Sequence, residues 1–260
     1  MNQSPFVRLG NKLKIVKTLE MYMPEDFTIF VEPFVGSGSM ILNIPLENKK
    51  VIINDIDKQL IDAYKYVKKV KVNKKNFLYM DKNLYKDVDE YLDVLNEIND
   101  RLLSKKKLTL KQSFIKEMLN ALTFGSKGQG KLYNKKINLM NRFDKRIPTL
   151  KDTLEDVIIE NKDYRKIIKK YDSKKSFFFL DPPYQNSKQL YKHGDFDLVE
   201  FSKIVKQIKG KVMITLNDSM KVRELFKDYR IVKVKVQGQK GGVRDGLGAG
   251  YRDELIILNY

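Results

Sequence analysis

SFFFLDPPYQN, residues 176–186, joins an apolar run to an acid, two prolines and a tyrosine. The run lacks polar alternation, which is typical of a strand covered on both faces. Asp181 stands where this strand should end, and open α/β sheets bind ligands at the carboxyl ends of their strands. Pro182 and Pro183 fix two φ angles and remove two amide donors. The stretch therefore predicts a buried strand that delivers a carboxylate to a ligand site.

Similar apolar runs recur along the chain and indicate the fold class. Six more predict strands: TIFVE (28–32), VIIN (51–54), VIIE (157–160), KVMITL (211–216), YRIVKVKV (229–236) and ELIIL (254–258). Helical patterns precede or separate many of them, including residues 13–22 and 197–208. Strands that alternate with helices predict a parallel, doubly wound α/β sheet.

This alternation stops between about residues 60 and 155. The region contains two helical patterns and a loop rich in Gly, Asn and Lys, at 87–103, 109–124 and 125–146. We predict a mostly helical inserted domain at 60–155, and a catalytic domain made of 1–59 and 156–260.

The charge of the chain points to a polyanionic partner. The 260 residues carry a net charge of +18. Residues 101–150 contain thirteen Lys and Arg against two acids, which is +11 of that total (13 − 2). Cationic side chains that neutralise phosphates release counterions, so nucleic acid is the natural partner. A solvated basic surface is the alternative.

Composition argues against several classes of protein. The chain has no cysteine and one histidine, His193, so a disulfide framework, a thiolate or histidine zinc site and a Ser-His-Asp triad are all disfavoured. No apolar run approaches the ~20 residues that span a bilayer. The first twelve residues lack the apolar stretch of a signal peptide. We expect a cytoplasmic protein with neither a membrane nor a metal partner.

TIFVEPFVGSGSM, residues 28–40, predicts a strand, an acid, a glycine turn and the start of a helix. Gly36 and Gly38 permit close approach of a ligand to main-chain amides. About twenty residues further on, Asp55 follows the second strand, where an acid suits ribose hydroxyls. The turn indicates a nucleoside cofactor, and a tight β–α turn without a ligand is the alternative.

DPPY combines groups that recognise an amine on a planar ring. The carboxylate of Asp181 and the carbonyl of Pro182 form two acceptors for an NH₂ group, and the ring of Tyr184 offers a stacking surface for a base. A Pro-Pro turn that only closes a strand is the alternative.

Taken together, these motifs resemble the Dam-like adenine-N6 DNA methyltransferases (D12 class, α group), which carry DPPY. The resemblance covers nearly the whole chain in order, through FVRLGNKLKIV (6–16), FVEPFVGSGSM (30–40), NDID (54–57), ENKDYRKI (160–167), DPPY (181–184) and ELIILNY (254–260). It implies a seven-stranded sheet whose last strand is antiparallel. It also implies S-adenosyl-L-methionine as methyl donor and double-stranded DNA as substrate.

The resemblance assigns cofactor contacts residue by residue. Asp163 would face the adenine of the cofactor and Asp55 its ribose, while Ile56 would either pack on the adenine ring or belong to the core. The full set is Gly10, Asn11, Lys12, Glu32, Pro33, Phe34, Gly36, Ser37, Gly38, Asp55, Ile56, Asp163, Tyr164 and Asp181.

The implied catalytic set is Asp181, Pro182, Pro183 and Tyr184. Asp181 and the Pro182 carbonyl would each accept one N6–H bond, which frees the nitrogen lone pair to attack the methyl group. The base must first be flipped out of the duplex, and Tyr184 would stack on it.

Contacts to DNA are expected from the insertion. Donors for phosphates and base edges are Lys127, Gln129, Lys131, Asn134, Lys135, Lys136 and Arg142. For each one, a solvated side chain is the alternative. A Gly-rich loop at 238–254 is either a segment that orders on DNA or an idle hairpin connection. Family members that read GATC carry an FNVPFG-like stretch where this chain has INLMNRFDK (137–145), so the recognition sequence stays open.

Three rival functions remain at this point. The first is a catalytically idle DNA-binding protein on the same fold, and the second is a methyltransferase of cytosine N4 or RNA adenine N6. The third, an NAD-dependent dehydrogenase, is disfavoured because the third glycine of its motif is missing. We expect a monomer or weak dimer, bacterial or phage-encoded and nucleoid-associated, with a restriction endonuclease as a candidate partner.

Overall fold

The computed structural model describes residues 1–8, 10–70, 107–120, 145–183, 196–237 and 251–260. Within these ranges the strands are β1 (Ile29–Glu32), β2 (Lys50–Asn54), β3 (Ile158–Glu160), β4 (Ser176–Leu180), β5 (Lys211–Asn217), β6 (Arg230–Gln237) and β7 (Tyr251–Leu258). The helices are α1 (Val16–Glu20), α2 (Lys58–Lys69), α3 (Leu110–Asn120), α4 (Ile147–Thr153), α5 (Tyr164–Tyr171), α6 (Leu198–Val205) and α7 (Met220–Leu225).

The strands form one mixed sheet in the order β3-β2-β1-β4-β5-β7-β6. β1 is parallel to β2 and β4, and β4 is parallel to β5. β7 lies between β5 and β6 and is antiparallel to both. The predicted seven-stranded α/β sheet with an antiparallel last strand is confirmed.

β4 shows why the central strands lack polar alternation. All five of its residues are buried, and successive side chains of a strand point to opposite faces of the sheet. Phe178 belongs to a core cluster with residues of α5 and α6. Phe177 instead packs against Phe27 and Phe30, with ring centroids 5.2 and 5.7 Å away. A strand with a core on each face has no place for polar alternation.

Contacts divide the chain into two units. One comprises Met1–Leu13, Gly36–Ile44 and Asp57–Asn161, and the other comprises Lys14–Val35, Pro45–Ile56 and Lys162–Tyr260. Six of the seven described strands belong to the second unit, and β3 belongs to the first. The predicted helical insertion at 60–155, and the domain bounds drawn from it, stay predictions.

The first unit is held together by aromatic and ionic contacts around α2 and α3. The ring of Phe6 lies 5.0 Å from that of Tyr64 and 6.3 Å from that of Phe114. The Arg8 guanidinium contacts the buried carboxylate of Glu117 at 2.5 Å. The N-terminal segment is therefore fixed to both helices.

Two helix predictions need correction. A helix was expected to start within residues 39–44, but they form turns. Hydrogen bonds close these turns, from the Leu42 amide to the Gly38 carbonyl and from the Ile44 amide to the Met40 carbonyl. Pro45 follows directly and cannot donate to a longer helix. The pattern at 13–22 yields only α1, five residues long. The pattern at 87–103 lies outside the described residues.

No helix within the described ranges is long and apolar enough to cross a membrane.

Candidate active site

Asp181 lies immediately after β4, at the carboxyl edge of the parallel strands. Its side chain is half-buried, Pro182 is buried and Pro183 is half-buried. Glu32, at the same end of the neighbouring strand β1, is also buried. Two carboxylates thus lie at the carboxyl ends of adjacent strands, at the edge where α/β folds bind ligands.

A threonine on the next strand holds the Asp181 carboxylate. The Thr215 hydroxyl donates a hydrogen bond to Asp181 Oδ1 at 2.9 Å. Thr215 lies within β5 and is fully buried. The bond crosses from β5 to the end of β4 and fixes one oxygen of the carboxylate.

Asn54 joins three segments beside this edge. Its Nδ2 donates to the carbonyls of Pro33 and Lys162, each at 2.9 Å. Its Oδ1 accepts from the Lys162 amide at 2.8 Å, and its own carbonyl accepts from the Val35 amide at 2.8 Å. Asn54 is 1% exposed, so solvent does not compete for these hydrogen bonds. They fix the turn after β1 and the segment that leads into α5.

Aromatic rings gather beside the same turn. The Phe34 ring lies 5.3 Å from Tyr164 and 6.1 Å from Phe196, between centroids. Phe196 also contacts Phe201 in the core, at 5.1 Å. Phe34, Tyr164 and Phe196 are only partly buried. Burial raises the pKa of Tyr164 to about 12, so its ring carries a neutral hydroxyl at physiological pH.

The end of β2 presents an acid and an exposed apolar residue. Asp55 is half-buried, while Ile56 is 48% exposed. Assignment of Ile56 to the core is therefore wrong. An aliphatic side chain left in solvent beside polar groups is available to a planar ligand, although single exposed apolar residues are common.

Asp163 is the N-cap residue of α5, and Arg165 holds its carboxylate. The Asp163 carboxylate accepts the Arg165 amide at 2.8 Å and two guanidinium bonds at 2.7 and 2.6 Å. The guanidinium also reaches Glu200 of α6 at 2.9 Å. Hydrogen bonds from Arg165 hold the pKa of Asp163 below its ordinary value. The carboxylate stays ionised as an acceptor.

The two glycines of the turn in the first unit have different surroundings. Gly36 and Gly38 both have positive φ, +46° and +71°. A Cβ on Gly38 would lie 2.7 Å from the Tyr64 hydroxyl, whereas a Cβ on Gly36 would meet nothing within 4 Å. The Tyr64 hydroxyl donates to the Gly36 carbonyl at 3.0 Å. The hydroxyls of Ser37 and Ser39 lie 3.0 Å apart. Gly38 is needed for packing, while Gly36 borders open space.

The N-terminal element of the first unit is a tight turn. Gly10 has φ of +82°, and its carbonyl accepts a bond from Lys12 Nζ at 2.9 Å. Asn11 Oδ1 accepts from the Leu13 amide at 3.3 Å. Lys12 is buried, which is rare for a lysine. Its ammonium is thus held within the turn.

Several predicted site residues lie outside the described residues. They are Tyr184 and the DNA-contact set Lys127, Gln129, Lys131, Asn134, Lys135, Lys136 and Arg142. The loops at 185–195 and 238–250 are outside as well.

Sequence reasoning missed four residues that shape these groups. Arg165, Tyr64, Asn54 and Thr215 were assigned no role, although Asn54 and Arg165 lay within quoted motifs. Thr215 and Asn54 carried a usable signal, since a polar residue inside a continuous apolar strand must find a hydrogen-bond partner. Arg165 and Tyr64 carried none, because arginine and tyrosine are common in helices and their residue type alone names no partner.

The sheet order, the glycine turn and a carboxylate after β4 define an α/β protein of the methyltransferase class. The family model for D12 class N6 adenine-specific DNA methyltransferases matches residues 9–239. The chain belongs to this family, and its activity is methyl transfer to N6 of adenine in DNA.

Three relatives match over 96% or more of the chain. Type II methyltransferase M1.LlaDCHI of Lactococcus lactis subsp. cremoris is 27% identical over 100% of this chain and 96% of its own. M.CviBI of Paramecium bursaria Chlorella virus NC1A is 24% identical, over 96% and 97%. M.MjaIII of Methanocaldococcus jannaschii is 27% identical, over 100% of both.

Proposed function

We propose that this protein transfers a methyl group from S-adenosyl-L-methionine to an adenine flipped out of double-stranded DNA. The observation that carries the proposal is the position of Asp181. It follows a buried parallel strand, precedes two prolines and has one carboxylate oxygen held by Thr215. A carboxylate fixed in this way can accept one hydrogen of an exocyclic amine.

Methyl transfer to N6 requires the protein mainly to position the reacting groups. The N6 lone pair of adenine is delocalised into the ring, which makes the nitrogen a poor nucleophile. Asp181 and the Pro182 carbonyl each accept one N6–H, which favours a tetrahedral nitrogen with its lone pair free to attack. Asp181 also stabilises the positive charge that develops on N6. Orientation supplies most of the acceleration, and no covalent enzyme intermediate is needed.

The residues of the second unit fit the nucleoside part of the cofactor. The partly buried rings of Phe34 and Tyr164 and the exposed Ile56 suit a purine. Asp55 suits a ribose, and Asp163 stays ionised to accept an amine. Glu32 and Pro33 would line the methionine end. When bound, the cofactor supplies a methyl group made electrophilic by its sulfonium.

The first unit offers a second set of candidate cofactor residues. Gly36 leaves open space at its α-carbon, and space beside a glycine lets a ligand approach the backbone. Contacts from Gly10, Asn11, Lys12, Ser37 and Gly38 rest on the resemblance and stay predictions.

DNA reading is assigned to the basic segment 101–150, and stacking on the flipped base to Tyr184. The +11 charge of that segment supports the first assignment. Three relatives are named type II methyltransferases. We propose that this protein modifies a site that a partner restriction endonuclease cuts.

Substitution of Asp181 tests the proposal. We expect Asp181→Ala to lose methyl transfer from labelled S-adenosylmethionine to an adenine-containing duplex, with cofactor affinity largely retained. Asp26→Ala is the matched control, because Asp26 is an exposed acid paired with Lys211 and such surface pairs contribute little. Equal transfer by wild type and Asp181→Ala would refute the assignment.

The identity of the product base separates this function from its rivals. Nucleoside analysis of the methylated duplex should give N6-methyladenine. N4-methylcytosine, or transfer to RNA alone, would replace the substrate assignment. No transfer at all by the wild type would leave an idle DNA-binding protein. Mapping methylated bases in DNA from cells that express the protein would also give the recognition sequence.

A further inference from the structure

Thr215 is a buried polar residue that the apolar pattern of β5 does not explain. It lies in the middle of KVMITLN, the sequence of β5, and is fully buried. A buried hydroxyl without a partner costs about 1–3 kcal/mol. Valine would fill nearly the same volume in a strand without that requirement. The hydroxyl therefore calls for an explanation beyond packing.

The register of the sheet sets this hydroxyl beside the predicted catalytic carboxylate. Leu180, the last residue of β4, pairs with Ile214 of β5. The next residues are Asp181 and Thr215, and the Thr215 hydroxyl donates to Asp181 Oδ1 at 2.9 Å. On its other side Thr215 pairs with Ile256 of β7. The donor thus belongs to a strand fixed by two neighbours.

A carboxylate after a strand end can rotate about its terminal χ2 angle, for which the preferences are broad. An ionised carboxylate only accepts hydrogen bonds, so a fixed hydroxyl donor on one oxygen selects the orientation of both. Threonine suits this task because branching at Cβ restricts its χ1 angle. The donor itself is therefore rigid.

We propose that Thr215 is a positioning residue that sets the rotation of the Asp181 carboxylate for the N6 amine. The inference rests on the proposed function of Asp181 and adds to it a second residue that acts without touching the base. Displacement of a catalytic group by about 1 Å can cost on the order of 100-fold in rate. Loss of the hydroxyl should therefore slow the chemical step rather than weaken binding.

Two matched pairs of residues at position 215 isolate the hydroxyl. Threonine and Thr215→Val differ by a hydroxyl against a methyl, and Thr215→Ser and Thr215→Ala differ by a hydroxyl alone. Each variant would be purified as the full chain. Three quantities would be compared: the single-turnover methylation rate on an adenine duplex, the equilibrium affinities for S-adenosylmethionine and duplex, and the thermal midpoint.

We expect the single-turnover rate to follow the hydroxyl. Thr215→Val should be about 10–100-fold slower than wild type, and Thr215→Ala slower than Thr215→Ser by a similar factor. Thr215→Ser should stay within about threefold of wild type. Affinities for cofactor and duplex should change by less than about threefold in Thr215→Val. The Ala–Ser pair keeps the test intact if Thr215→Val does not fold.

The inference is overturned if Thr215→Val turns over at the wild-type rate. It is also overturned if the rates of the four proteins follow their thermal midpoints instead of the hydroxyl, because Thr215 would then serve packing alone. Failure of the proposed function gives a different result, since wild-type protein would then produce no N6-methyladenine.

Discussion

Gly36 and Gly38 share a left-handed backbone but have different environments. Both have positive φ, where a residue with a Cβ costs roughly 1–2 kcal/mol. Only Gly38 would also bring that Cβ to 2.7 Å from the Tyr64 hydroxyl. The G-x-G motif cannot separate the two glycines. A need for positive φ and a lack of space for a Cβ both appear in the sequence as a glycine.

Alanine substitutions at these two positions should therefore have different effects. We expect Gly38→Ala to lower the free energy of unfolding by more than Gly36→Ala, which should lose about 1–2 kcal/mol. Urea denaturation checks this order. Gly36→Ala should also weaken S-adenosylmethionine binding, measured by calorimetry. Its methyl group would enter the open space at the turn through which we expect the cofactor to approach the backbone. Equal stability losses in the two variants would contradict the assigned contacts.

At the scale of elements, Asn54 decides how β1, β2 and α5 meet. Its side chain makes three bonds to backbone groups of Pro33 and Lys162, and Lys162 lies 108 positions away in the chain. The sequence places Asn54 at the end of a strand but cannot name these partners. They follow from strand order and from the path of the chain into α5.

Asn54→Ala should destabilise the fold strongly. The substitution leaves two carbonyls and one amide without their partner in a buried place, at about 1–3 kcal/mol for each such group. We expect a decrease of about 3 kcal/mol or more in the free energy of unfolding, measured by denaturation. Asn259→Ala is the matched control, since Asn259 also bonds to backbone after a strand but is exposed. Water can replace its bonds, so similar decreases in both variants would refute the burial argument.

The strands were the most predictable elements of the fold. Each predicted apolar run corresponds to an observed strand. Burial on both faces excludes polar alternation in β1, β2, β4 and β5, whereas the edge strands β3 and β6 are partly exposed. The helix expected after the glycine turn was wrong, since Pro45 leaves too few residues for one. The antiparallel direction of β7 came from the family resemblance, whereas its position between β5 and β6 was not predicted.

At the scale of the whole molecule, charge should govern the affinity for DNA. The net charge is +18, and residues 101–150 carry +11 of it. Affinity for duplex should fall steeply as salt rises, because bound lysines and arginines release counterions. The slope of log affinity against log salt counts the phosphates that the protein neutralises.

Single lysine substitutions test whether the basic segment binds phosphates. We expect Lys127→Ala or Lys131→Ala to reduce the salt slope by about 0.9 for each phosphate that the variant no longer neutralises, measured by fluorescence anisotropy. Lys174→Ala and Lys209→Ala are the controls. Both lysines are exposed and precede β4 and β5, at the amino ends of strands whose carboxyl edge carries Asp181. An equal change of slope in all four variants would mean that the basic segment has no special role.

The sequence by itself determined the strands, the glycine turn and the acid that follows β4, because side-chain periodicity and turn chemistry are local properties. The tertiary structure decided which groups meet. Thr215 reaches Asp181 across 34 positions, and Asn54 reaches Lys162 across 108. Such pairs depend on strand order and register, which are set by packing of the whole sheet and leave no trace in a short stretch of residues.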